Sequence, residues 1–144
     1  FLNGMAKLSI EISKTLKNFF LIMILSSSIF SNCEKFNSKN SVLISAEQML
    51  NFVKSEQVQL IDVRTPAEFA EGHVKDAKNI DFYSPKFDLQ IDALNKSIPV
   101  ILYCNSGRRS AKCVSKLNSK GFKIIYDLEG GIKQWKFEGR QTYN

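Results

Sequence analysis

The 144-residue chain is poor in metal-binding side chains, with one histidine, His73, and three cysteines, Cys33, Cys104 and Cys113. These residues lack the spacing of a metal centre, so neither a metal nor a cofactor is expected. A strong basic excess is also missing: 20 Lys and Arg stand against 14 Asp and Glu, a net charge of +6. Lys7, Lys14 and Lys17 against Glu11 put +2 of that in the first 33 residues and leave +4 for the rest. That balance suits small anions. It falls short of a nucleic-acid stripe, and no aromatics interleave with the basic residues. Internal repeats and low-complexity tracts are absent, and the length allows one domain with one modest core. The apolar run "NFFLIMILSSSIF" is about a dozen residues long, signal-peptide length and too short to cross a bilayer comfortably.

Lys14 and Lys17 precede that run, and "IFSNC" closes it. A charged start, a short apolar segment and small polar residues before a cysteine resemble a bacterial lipoprotein signal. The resemblance implies lipidation at Cys33 and an exported, periplasmic or cell-envelope protein held at the membrane by its N-terminal segment. The alternatives are an uncleaved anchor or cleavage elsewhere. Translation is expected to begin at Met5, with residues 1–4 upstream and residues 1–33 serving as the signal. "EKFNSKNS", residues 34–41, is polar and aperiodic and reads as a tether. The folded domain is then expected over residues 42–144.

Within that span, strands and helices alternate. Ser45 and Gln48 form a capping-box pattern before Met49, Leu50 and Val53. "VQLIDV" reads as a buried strand. Thr65, Pro66 and Glu68 open a short helix that ends by Gly72. "AKNIDF" reads as a brief strand, and Ser84-Pro85 as the start of a helical stretch with Phe87, Ile91 and Leu94. "PVILY" is apolar throughout, as expected where both faces of a strand are covered. Ser110 is expected to cap a helix bearing Ala111, Cys113, Val114 and Leu117. "FKIIYDL" gives another strand, and Gly130-Gly131 a positive-φ turn into a last helix with Ile132 and Trp135. The pattern predicts a parallel sheet with helices on both faces, whose site lies beyond the C-terminal strand ends.

Cys104 lies at that end of the "VILY" strand and is followed by Asn105, Ser106, Gly107, Arg108, Arg109 and Ser110. Thiolate is the reactive form of cysteine, and a helix N-terminus and nearby cations favour it over thiol. Gly107 lets successive N–H groups curl toward one point, as in an anion nest. The small residues at 105–107 leave room above the sulfur. A buried structural cysteine followed by an ordinary basic turn would need none of this company.

"LIDVRTPAEFAEGHVKDAKNID", "PVILYCNSGRRSA", "GFKIIYDLEGGIKQW" and "EGRQT" together resemble the single-domain rhodaneses, the thiosulfate-type sulfurtransferases, over residues 58–142. The resemblance implies a rhodanese-like α/β domain around a five-stranded parallel sheet. It makes Cys104 the nucleophile and persulfide carrier and Asn105, Ser106, Gly107, Arg108 and Arg109 the substrate cradle. Arg109 would neutralise the charge of thiosulfate or sulfite, with Arg108 second. The implied partners are a small anionic sulfur donor and a thiol or cyanide acceptor, which a thioredoxin-like protein would supply. A non-enzymatic persulfide carrier that delivers sulfur to a protein needs the same loop. The related cell-cycle phosphatases use Cys-x5-Arg, one residue longer, so a phosphatase or arsenate reductase is the least favoured reading. Asp76 and Asp81 replace the family's usual Gly and Pro and put local turn geometry in question.

Other residues read as structural. Asp62, Arg64 and Glu68 look like an ion network that holds a strand end and supports the loop. His73, after a helix end, reads as a structural hydrogen-bonder. Cys113 falls on the apolar face of its helix and reads as core, with a resolving thiol for Cys104 as the alternative.

Overall fold

The computed structural model describes residues 41–55 and 57–144. Five strands, β1 (Ser41–Ile44), β2 (Gln59–Asp62), β3 (Lys78–Asn79), β4 (Val100–Tyr103) and β5 (Ile125–Leu128), form one sheet in the order β1-β5-β4-β2-β3. Every pairing is parallel. The helices are α1 (Ala46–Ser55), α2 (Pro66–Ala70), α3 (Phe87–Asp92), α4 (Arg108–Ser119) and α5 (Gly131–Phe137).

Side-chain alternation along β4 divides the core. Val100, Leu102 and then Cys104 join Phe87 and Ile91 of α3 and Cys113, Val114 and Leu117 of α4. Ile101 and Tyr103 point the other way, to Met49 of α1 and to Ile132 and Trp135 of α5. All four residues of β4 are buried, which explains an apolar run without alternation in the sequence. Ile101 and Leu102, fully buried, each contribute roughly 2 kcal/mol of hydrophobic stabilisation.

The two expected capping boxes form. Ser45 Oγ accepts from Gln48 N at 3.2 Å, and Gln48 Oε1 accepts from Ser45 N at 2.9 Å. Thr65 and Glu68 cap α2 in the same reciprocal way, with Pro66 in the first turn.

Four local expectations change. Ser41, assigned to the tether, is the first residue of β1, an edge strand that pairs with β5. The stretch after Ser84-Pro85 becomes helical only at Phe87, because Ser84 and Pro85 form a turn in which Ser84 Oγ accepts from Lys86 N. Ser110 lies inside α4, whose N-cap is Gly107 in the left-handed region, φ +92°. Asp76 also adopts positive φ, +62°, the conformation glycine takes without strain. Asp81, by contrast, makes its own turn, its Oδ1 accepting from Tyr83 N at 2.9 Å. The signal segment, Cys33 and residues 34–40 lie outside the described residues. No helix among the described residues is long and apolar enough to cross a membrane.

Candidate active site

The loop after β4 is held from both sides. The Tyr103 carbonyl accepts from Val63 N at 2.9 Å. The Cys104 and Asn105 carbonyls accept from Ile132 N and Lys133 N, at 2.9 and 3.0 Å, in the first turn of α5. This contact requires Gly131: a Cβ there would overlap the Cys104 carbonyl and lie 2.8 Å from the Asn105 carbonyl carbon, and its φ is +60°. The Gly-Gly pair therefore sets the position of the cysteine loop as well as turning the chain.

Cys104 is 1% exposed. Its Sγ accepts from Gly107 N at 3.2 Å and lies 3.7 Å from Ser110 Oγ, which is also 3.0 Å from the Gly107 carbonyl and can donate to either. Positive φ at Gly107 turns its N–H back onto the sulfur. Above the sulfur is a cavity of about 530 Å³, lined by Tyr83, Asn105, Ser106, Arg108, Arg109 and Lys112 with Cys104 and Ala111. Tyr83, 68% exposed, stands at its mouth with its ring 5.8 Å from the Arg109 guanidinium. Tyr83 and Lys112 were not anticipated. Tyr83 lies 21 residues before the cysteine, and Lys112 gives no sign in the sequence of facing the loop. A slightly larger cavity, about 580 Å³, lies across the sheet against Met49, Leu50, Val53 and Trp135 and is lined by no cysteine.

The carboxylates do not form the single network expected. Asp62 and Arg64 pair in the interior, with Arg64 Nη2 2.6 Å from Asp62 Oδ2 and 2.9 Å from the Gly72 carbonyl. Asn79 Nδ2 donates to the carbonyls of Asp62 and Arg64, so this pair fastens β2 to β3. Glu68 belongs to the cavity wall. Arg109 grips it with two hydrogen bonds, Nη1 to Oε2 at 2.7 Å and Nη2 to Oε1 at 2.5 Å. That grip, helped by Thr65, holds the Glu68 carboxyl down at about 2. Arg109 does line the cavity, but Glu68 neutralises its charge. Among the described residues that line the cavity, Arg108 and Lys112 are the cations without such a carboxylate partner.

His73 stacks on Phe69, and its Nδ1 is 3.1 Å from the Phe69 carbonyl, a structural position away from the loop. Cys113 is fully buried beneath α4, and burial pushes its thiol well above the ordinary range. Among the described residues, no cluster of His, Cys, Asp or Glu is arranged to hold a metal.

A buried cysteine that accepts the Gly107 N–H in a short loop, at the C-terminal edge of a parallel sheet and under a basic cavity, defines a cysteine-loop α/β protein. Residues 45–138 match the family model described as the rhodanese-like domain, and the chain belongs to that family. It is 34% identical over 85 residues to a sulfurtransferase of Allochromatium vinosum, covering 59% of this chain and 78% of the relative. With the thiosulfate sulfurtransferase GlpE of Pseudomonas putida it shares 30% over 93 residues, covering 65% of this chain and 83% of the relative. The crystal structure of a rhodanese-like domain protein from Staphylococcus aureus superposes with a TM-score of 0.61 at 31% identity, covering 74% of this chain and all of that one.

Proposed function

We propose that the protein transfers a sulfane sulfur from thiosulfate, or a similar small anion, to a thiophilic acceptor through a persulfide on Cys104. The observation that carries this reading is the Cys104 sulfur, hydrogen-bonded by Gly107 N–H at the floor of the basic cavity. In the first step the Cys104 thiolate attacks the outer sulfur of thiosulfate. A new S–S bond forms to Cys104, the old one breaks, and sulfite leaves with the electron pair. In the second step an acceptor thiolate or cyanide attacks the terminal sulfur, and the Cys104 thiolate departs with the bonding pair. Arg108 and Lys112 attract the anionic donor, and the loop amides hold the transferred sulfur. Arg109, anchored on Glu68, fixes the wall of the cavity.

The five-residue step from Cys104 to Arg109 counts against a phosphatase, and the engagement of that arginine by Glu68 supports the same conclusion. Export and lipid attachment through Cys33 belong to the proposal on sequence grounds alone, as does a thioredoxin-like acceptor. The test is the intact mass of the full chain. Thiosulfate should add one sulfur atom at Cys104, and cyanide should remove it as thiocyanate. No added sulfur would refute the persulfide route. A stable persulfide that cyanide and small thiols leave in place would turn the reading toward a carrier for a protein acceptor.

A further inference from the structure

The turn from Asp81 to Ser84 places an aromatic ring at the mouth of the cysteine cavity and holds it there. Asp81 Oδ1 accepts from Tyr83 N at 2.9 Å, and the Asp81 carbonyl accepts from Ser84 N at 3.0 Å. Phe82 packs against the core. Its ring meets that of Tyr83 edge-on at 5.5 Å and that of Phe87 edge-on at 5.3 Å. The Arg109 guanidinium lies 5.8 Å from the centre of the Tyr83 ring and is itself fixed by two hydrogen bonds to Glu68. Tyr83 is nevertheless 68% exposed. A single exposed aromatic is ordinary on a surface. One fixed by a turn, a neighbouring ring and a guanidinium, at the opening over the cysteine, is a preorganised contact for a ligand.

The cavity, about 530 Å³, has the size of a site for an organic ligand. A thiosulfate ion would fill a small part of it and leave the Tyr83 ring in water. Positive charge comes from Arg108 and Lys112, since Glu68 neutralises Arg109. The lining therefore offers a sulfur nucleophile, two cations and an aromatic ring. Those elements match an anion that has an outer sulfur, an oxyanion group and an apolar body. An organic thiosulfonate, a thiosulfate in which a carbon group replaces one oxygen, has all of them. Inorganic thiosulfate lacks the last.

We infer that Tyr83 is a specificity-determining residue, its ring binding the organic group of a thiosulfonate donor and favouring aryl donors over those with a small organic group. The inference rests on the Cys104 persulfide route proposed above. The Cys104 thiolate attacks the outer sulfur of the donor. An S–S bond forms to Cys104, the bond between the outer and sulfonyl sulfurs breaks, and the sulfinate leaves with the electron pair. The persulfide is the one thiosulfate would give, so the acceptor step is unchanged. Arg108 and Lys112 attract the sulfonyl oxygens, and the organic group lies against Tyr83.

The first measurement is sulfur transfer to cyanide by the full chain, with benzenethiosulfonate and methanethiosulfonate as donors. The two donors differ in intrinsic reactivity, so the test is the change in their kcat/KM ratio. Tyr83→Ala should lower the ratio of benzene to methane donor roughly fivefold, the worth of one aromatic contact, chiefly through the KM of the benzene donor. Tyr83→Phe keeps the ring and should keep the ratio. Any loss common to both donors cancels. A ratio unchanged in Y83A overturns the inference, and so does a fall in Y83F equal to that in Y83A. The second measurement needs no sulfur transfer. Benzenesulfonate and methanesulfonate are compared as protectants of Cys104 against iodoacetamide, with mass spectrometry of the Cys104 peptide separating it from Cys33 and Cys113. Benzenesulfonate should protect the natural protein and Y83F at roughly fivefold lower concentration than methanesulfonate, and Y83A should lose that advantage. Equal protection of the natural protein by both anions, or an advantage undiminished in Y83A, overturns the inference. If no donor loads sulfur onto Cys104, the persulfide reading fails, while the protection data still decide whether Tyr83 selects the organic group.

Discussion

Cys104 and Cys113 are nine residues apart, 1% and 0% exposed, and members of one core cluster. Burial does not distinguish them. Polar groups do: Cys104 receives the Gly107 N–H, has the Ser110 hydroxyl at 3.7 Å and opens onto the basic cavity. Cys113 lies among Val114, Leu117 and the strands, and its environment raises its thiol far above the ordinary range. A buried cysteine becomes reactive when backbone donors are aimed at the sulfur and one side is left open. Without them it packs as a small apolar residue.

The comparison breaks most sharply at Cys104. Cys104→Ser keeps nearly the same volume and an acceptor for the Gly107 N–H, but it cannot form a persulfide. Sulfur transfer should fall about 1000-fold or more while the fold remains. Thiosulfate-to-cyanide turnover, with circular dichroism as the folding control, makes the check. Retention of a few per cent of activity would move the chemistry elsewhere.

A second comparison, between the two Arg–carboxylate pairs, gives the intermediate effect. Asp62–Arg64 is closed off in the interior, whereas the Glu68 and Arg109 side chains are 31% and 16% exposed and wall the cavity. Glu68→Gln should lower transfer about tenfold, because Arg109 precedes Ser110 in the first turn of α4 and loses the anchor that positions it. Stability should fall by about 1 kcal/mol at neutral pH, a figure reduced for the partial exposure of the pair. Glu68 has its carboxyl lowered from 4.5 to about 2 on folding. Its contribution is therefore present above about 4.5 and is lost as pH falls toward about 2. The stability gap between natural protein and variant should close over that acid window. Urea denaturation at several pH values tests this, and a gap independent of pH would mean that the pair is not responsible.

What the sequence disclosed depended on how local the cause was. The Ser45–Gln48 and Thr65–Glu68 caps act over three residues and were legible. So was β4, whose burial on both faces writes itself as an unbroken apolar run. The cysteine loop showed because its glycine, arginines and small residues adjoin Cys104 in the sequence. β1 did not: "SVLI" is short, and only its first and last residues are buried. The partner of Arg109 is 41 residues away, beyond any spacing rule. Asp127 gave no sign of its burial in the sequence, which the fold alone shows. Ser110 has the residue type of a cap, yet Gly107 took that role because the turn onto the sulfur needs positive φ.

The smallest expected effect on activity is the one that separates the two cysteines most cleanly. Cys113→Ala is preferable to Cys113→Ser, since a serine would bury a hydroxyl among apolar neighbours and confuse stability with chemistry. The alanine leaves a small void beneath α4 and should cost about 1 kcal/mol of stability. Transfer from thiosulfate to cyanide should stay within about twofold, because neither proposed step involves a second thiol and a protonated buried thiol is a poor nucleophile. Added peroxide extends the test. If Cys113 resolved an oxidised Cys104, the natural protein would form an internal disulfide and regain activity with dithiothreitol. The packing reading instead expects the natural protein and the variant to lose activity at the same rate. Faster loss in the variant, or turnover abolished in a folded C113A protein, would make Cys113 a working thiol and remove the contrast between the two sulfurs.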